Sequence, residues 1–217
     1  MNRRSFTAAA FATPLMSGCL WDKHFDLSWD EEIQLHDGRV IVVKVTHTYE
    51  RLRREIGRYT SALPRDTEFS FDAGAPVGRV TQLFKGFHPM FLGWHEGTWY
   101  AVLYGDYYYR SRELPGQDWG ELEGPYGQWA IRLDNGKWQP MSMSRLPAAF
   151  YEPNMMLLKG AVSEQAEFDG KKVTLQDKQA WVAKHPYDYA DIRLTRPTAV
   201  SPRRKDSIPS TSIGDTK

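Results

Sequence analysis

Apolar and polar positions alternate with a period of two along much of this chain, the pattern of strands that bury one face. Phe25, Leu27 and Trp29 alternate with polar neighbours, which reads as an entering strand or as a docking tether. Ile33 and Leu35 follow the same rhythm up to Asp37-Gly38, and Val40 to Val45 is a β-branched run. Asp-Gly between two such runs predicts a two-residue hairpin turn with positive φ at both central positions. Residues 49–60 are basic and fit either a short helix or a continuing edge strand.

Further strands are predicted at 67–71, near 79–85, 90–95 and 98–104, and at 128–133 and 137–141. Glu96-Gly97 and Asp134-Asn135-Gly136 mark two of the turns, and 74–78 is a loop. Residues 112–127 hold two Pro and four Gly and read as a long surface loop. Residues 155–158 are apolar, and 165–175 looks like a hairpin around Asp169-Gly170. The best helix is 175–184, with Ala180, Trp181 and Lys184 at helical spacing and His185-Pro186 as its stop. Residues 187–195 alternate as a final strand, and 197–217 is a Pro/Ser/Thr-rich tail expected to be disordered. The fold class is therefore mainly β: an antiparallel sandwich or barrel-like meander with one short helix. Two stretches, Gly97 to Leu103 and Gly127 to Leu133, share the pattern G-x-W-x-x-x-L. Two copies are too few for a propeller, and two similar hairpin strands is the plainer reading.

The N-terminus carries a different pattern. Arg3 and Arg4 precede an apolar stretch from Phe6 to Met16, too short to span a bilayer, and Ser17-Gly18-Cys19 follows. This order is that of a secretory signal with small residues before the cut. Met16-Ser17-Gly18-Cys19 resembles the bacterial lipobox, with methionine where leucine is usual. The resemblance implies that residues 1–18 are removed, that the Cys19 thiol carries diacylglycerol, and that 19–196 is one β-rich domain held to the membrane by lipid. Arg3-Arg4-Ser5-Phe6 also resembles the twin-arginine export motif. Leu20, in place of Asp after the cysteine, points by enterobacterial sorting rules to the outer membrane, facing the periplasm.

Composition narrows the rest. The 217 residues include 41% hydrophobic, 25% charged and 13% aromatic side chains, which suits one domain with a real core. Without Arg3 and Arg4 the 28 basic residues become 26 against 27 acidic, a net charge of −1. A near-neutral chain has no electrostatic case for nucleic acid. A single cysteine excludes an intrachain disulfide framework and any zinc site built on several cysteines. No G-x-S-x-G, Walker, dinucleotide-binding or H-E-x-x-H pattern occurs, so no catalytic residue, metal or cofactor is expected. Six histidines are scattered, and each reads as a surface or satisfied side chain.

Two weaker leads remain. Trp94, Trp99, Tyr107 and Tyr109 lie in an aromatic-crowded stretch and are the candidate binding face for an envelope protein or glycan. Asp30, Glu31 and Glu32 could supply the acid and base of a glycan hydrolase, with Asp30 and Glu32 on one face of a strand, the alternative to a non-catalytic binding role. The stretch WDEEIQLHDGRVIVV at 29–43, with FDLS before it, resembles a group of uncharacterised proteobacterial envelope lipoproteins. That resemblance supports the lipid anchor and implies no activity.

Overall fold

A computed structural model describes residues 23–51, 62–105, 127–156, 165–185 and 194. The signal segment, Cys19, Tyr107, Tyr109, most of the 112–127 loop, all but Leu194 of the strand expected at 187–195, and the tail lie outside the described residues.

Among the described residues nine strands form two sheets, so the expectation of a mainly β, largely antiparallel sandwich-like meander holds. The strands are β1 (His24–Gln34), β2 (Val40–Arg51), β3 (Ala62–Asp72), β4 (Arg79–Lys85), β5 (Phe87–His95), β6 (Thr98–Gly105), β7 (Gln128–Asp134), β8 (Lys137–Met141) and β9 (Lys172–Val173). The first sheet runs β4-β3-β2-β1-β9 and the second β5-β6-β7-β8. The chain crosses between them at Gly86. The helix α1 spans Leu175–Lys184, as its spacing predicted. Thr174 and Asp177 close its N-terminus with a reciprocal capping box, and the backbone N–H of His185 bonds back to Trp181. No helix among the described residues is long and apolar enough to cross a membrane.

The main core lies between the sheets. The first sheet contributes Trp29, Ile33, Val43, Val45, Phe69, Phe71 and Phe84, all essentially buried. Alternation explains this set: the odd positions of β1 and β2 point inward and the even ones carry Asp26, Ser28, Asp30, Lys44 and Thr46 outward. The second sheet buries both faces. Trp99, Ala101 and Leu103 of β6 enter the main core, while Val102 joins a second core with Met90, Phe91, Ala130, Met143 and Phe150. Gly93 sits at that second face. A Cβ there would stand 2.6 Å from Phe91 and 2.9 Å from Phe150, whose rings lie 4.8 Å apart. The two G-x-W-x-x-x-L stretches are β6 and β7, neighbours in one sheet with Leu103 opposite Trp129.

Two local expectations need correcting. The β1–β2 turn is longer than two residues. Leu35 N donates to Arg39 O at 2.8 Å, enclosing His36, Asp37 and Gly38, and only Gly38 has positive φ. Asp37 is free to cap the turn instead, accepting from the Arg39 N–H and guanidinium. By contrast, both central residues of the Glu96-Gly97 and Asn135-Gly136 turns take positive φ, as tight hairpins require. The stretch 165–175 is not a hairpin. Ala166–Phe168 forms a 3-10 turn and β9 runs parallel to β1, because Asp169 and Gly170 bond across to the backbone of Ser28.

Candidate functional site

A groove of about 810 Å³ lies between α1 and residues 149–154, with the β1–β2 turn at one end. Beneath Lys178, which lines the groove, strand phase places a buried carboxylate. Trp29 and Ile33 set the inward phase of β1, so Glu31, between them, is also forced inward and is 1% exposed. A carboxylate so placed needs a cation and hydrogen bonds. Lys178 of α1 reaches down and donates to Glu31 Oε1 at 2.9 Å. The same ammonium donates to the backbone oxygens of Glu32 and Asn154, which uses its three protons. Glu31 also accepts from the Met156 N–H at 2.7 Å and the Trp29 indole at 3.2 Å.

Asn154 ties the groove to both sheets. Its amide nitrogen donates to Gln34 O of β1 and Leu92 O of β5, and its oxygen accepts from Leu92 N–H. Charge and amide in the lining are thus committed to holding the fold. The rim is different: Tyr151 is 64% exposed and Val182 39% exposed, with exposed His36 beside them. Behind the rim, His36, His95 and Phe150 meet edge to face, the two imidazoles 5.6 Å apart. No group of three or more metal-ligating side chains is assembled among the described residues.

A second polar centre sits between the sheets. His47 of β2 is 4% exposed and stacks on His88 of β5 at 5.0 Å. Burial, and then the neighbouring His88, hold its pKa well below the ordinary imidazole value.

The residues proposed from sequence are not gathered at one place. Trp99 is a core residue, 5% exposed, edge-on to Phe71 at 4.8 Å with its indole N–H donating to Ala73 O. It cannot form a binding face, because the positions of β6 that alternate with Tyr100 and Tyr104 all point into the sandwich. Trp94 stands directly opposite Trp99 and is half-buried at the core margin, with the Arg39 guanidinium 4.8 Å above its ring. Asp30 and Glu32 do share the outer face of β1, and neither lines the groove beside α1. Asp30 faces Lys44 across the sheet. Glu32 pairs with Lys172 at 2.7 Å and accepts from Leu175 N–H. The Lys172 hydrogen bond, then that backbone bond, lower its pKa, the opposite of what a general acid needs. Asn154, Lys178 and Tyr151 were not singled out from sequence, and Glu31 was named only as one of three neighbouring carboxylates. For Glu31 a signal existed: it falls in register with Phe25, Leu27 and Trp29.

No protein-family model, curated protein or solved structure matches this chain.

Proposed function

We propose that this chain is a non-catalytic binding module of the bacterial cell envelope, anchored by lipid at Cys19 and taking an envelope protein or glycan into the groove beside α1. The observation that carries the binding role is the division of labour within the groove. Lys178 and Asn154 in the groove lining are committed to internal bonds, Lys178 to the buried Glu31 behind it, while the rim exposes Tyr151 and Val182. Side chains so committed hold the fold, whereas exposed side chains around a concavity suit recognition. The anchor, the envelope location and the lack of a catalytic role rest on the sequence pattern of residues 1–19 and on the motifs searched for.

The test is a photo-crosslinker placed at Tyr151 and, as control, at exposed Leu83 on β4, in cells of the native host. Adducts at 151 that disappear with Val182→Asp support the groove; the same adducts at both positions reject it. Mass spectrometry of the native protein should find Cys19 N-terminal and acylated, and an intact residue 1 with a free thiol would remove the envelope setting.

A further inference from the structure

The most exposed part of the groove is an aromatic ring on a pinned backbone. Tyr151 follows Phe150, which is 1% exposed and whose N–H donates to Pro147 O at 3.0 Å. The Tyr151 carbonyl accepts from Leu194 N–H, and three residues on, Asn154 and Met155 both donate to Met90 O at 3.2 Å. The main chain is thus tied on both sides of a side chain that stands 64% exposed at the groove. A ring held this way loses little freedom when something settles on it.

Around that ring the groove presents polar side chains that give and take hydrogen bonds. Gln34 ends β1, and the phase of the strand turns it away from the buried Ile33 and Leu35 on either side of it. On α1, Leu175, Lys178, Gln179 and Val182 recur at intervals of three and four, so they share the face turned to the groove, and Gln179 is exposed on it. Glu152, next to Tyr151, adds an exposed carboxylate. An amide offers two donors and an acceptor, and an ionised carboxylate accepts only.

This set fits one class of occupant better than another. A polypeptide anchors through an apolar side chain in a deep pocket. Here the apolar residues at the bottom, Leu35 and Phe91, are 2% and 4% exposed, so the depth is already filled by the protein itself. A pyranose ring has an apolar face of C–H groups and a rim of hydroxyls, each both donor and acceptor. It matches a flat aromatic ring bordered by amides and a carboxylate. Charge refines the choice: the Lys178 ammonium is answered by Glu31, while Glu152 repels an anion. The volume, about 810 Å³, lies within the range of about 300–1,000 Å³ usual for ligand sites. We propose that the groove takes a neutral oligosaccharide, with one sugar ring against Tyr151 and its hydroxyls shared among Gln34, Glu152 and Gln179. The proposal rests on the groove being the binding site and narrows its occupant to glycan.

The probes are cellotetraose, maltotetraose and tetra-N-acetylchitotetraose as neutral chains and tetragalacturonate as an anionic one. Each is titrated against the full chain, in a detergent without a sugar headgroup, and followed by saturation-transfer nuclear magnetic resonance. At least one neutral chain should bind, and more tightly than tetragalacturonate. Tyr151→Ala should weaken that binding by about tenfold and Gln179→Ala by about three- to tenfold, while Tyr151→Phe keeps it within about twofold. Both positions are exposed, so the variants should fold, which near-ultraviolet circular dichroism checks. Binding of none of the neutral chains, equal or tighter binding of the anionic one, or neutral binding that survives Tyr151→Ala overturns the proposal. Crosslinking at Tyr151 separates the two readings. Val182-dependent adducts without sugar binding leave the groove a binding site and reject the glycan, whereas the absence of both rejects both.

Discussion

The two sheets solve the same packing problem differently. The first sheet is wet on one side: its outer face carries Ser28, Thr46, Ser70 and Thr81, linked by hydroxyl bonds near 3 Å. The second is covered on both sides, by the main core and by the Phe150 core. Burial on one face leaves a strand free to vary at every second residue, whereas burial on two faces leaves little such freedom. The groove lies where these regimes meet, because Asn154 and Lys178 grip the end of β1 from the side of β5 and α1.

Substitutions that swap the character of the two sheets test this contrast most severely. Val102→Asp places a charge in the second core and should abolish cooperative folding, read as loss of the near-ultraviolet circular dichroism signal. Next in size, Glu31→Gln strands the Lys178 ammonium and should cost about 3–5 kcal/mol in urea unfolding. Adding Lys178→Met to that variant should recover much of the loss. Phe150→Ala should cost a similar 3–5 kcal/mol or so, through the cavity left among Phe91, Tyr100 and Met143. Asn154→Ala orphans backbone groups of both sheets and should cost about 1–3 kcal/mol. The smallest effect belongs to the outer face, where Leu83→Lys should change the unfolding free energy measured in urea by no more than about 0.5 kcal/mol. A large loss at Leu83 would mean that the first sheet is covered after all.

The same contrast explains what was legible beforehand. Strands of the first sheet alternate cleanly, and β1 to β4 follow from Trp29, Val43, Val45, Phe69 and Phe84 falling at every second residue. The helix was readable because Ala180, Trp181 and Lys184 fall at helical spacing and His185-Pro186 stops it. β6 was located but misjudged in orientation: with both faces apolar, nothing in its local pattern says which aromatic looks outward, and Trp99 proved interior. The groove was illegible because its parts come from positions 34–36, 149–154 and 175–183, brought together only by tertiary packing. The meetings of His47 with His88 and of His36 with His95 likewise cross from one sheet to the other, and no spacing along the chain announces them.

Gly93 has a consequence for lineage. Even a methyl group at that position would collide with two aromatic rings, so drift there is blocked unless Phe91 and Phe150 shrink in step. Distant kin of this chain should therefore betray themselves less by overall similarity than by a covarying trio: a glycine flanked by small or planar partners at 91 and 150. A comparison of related genomes would reveal it as a correlated pattern long after the solvent-facing letters have been scrambled.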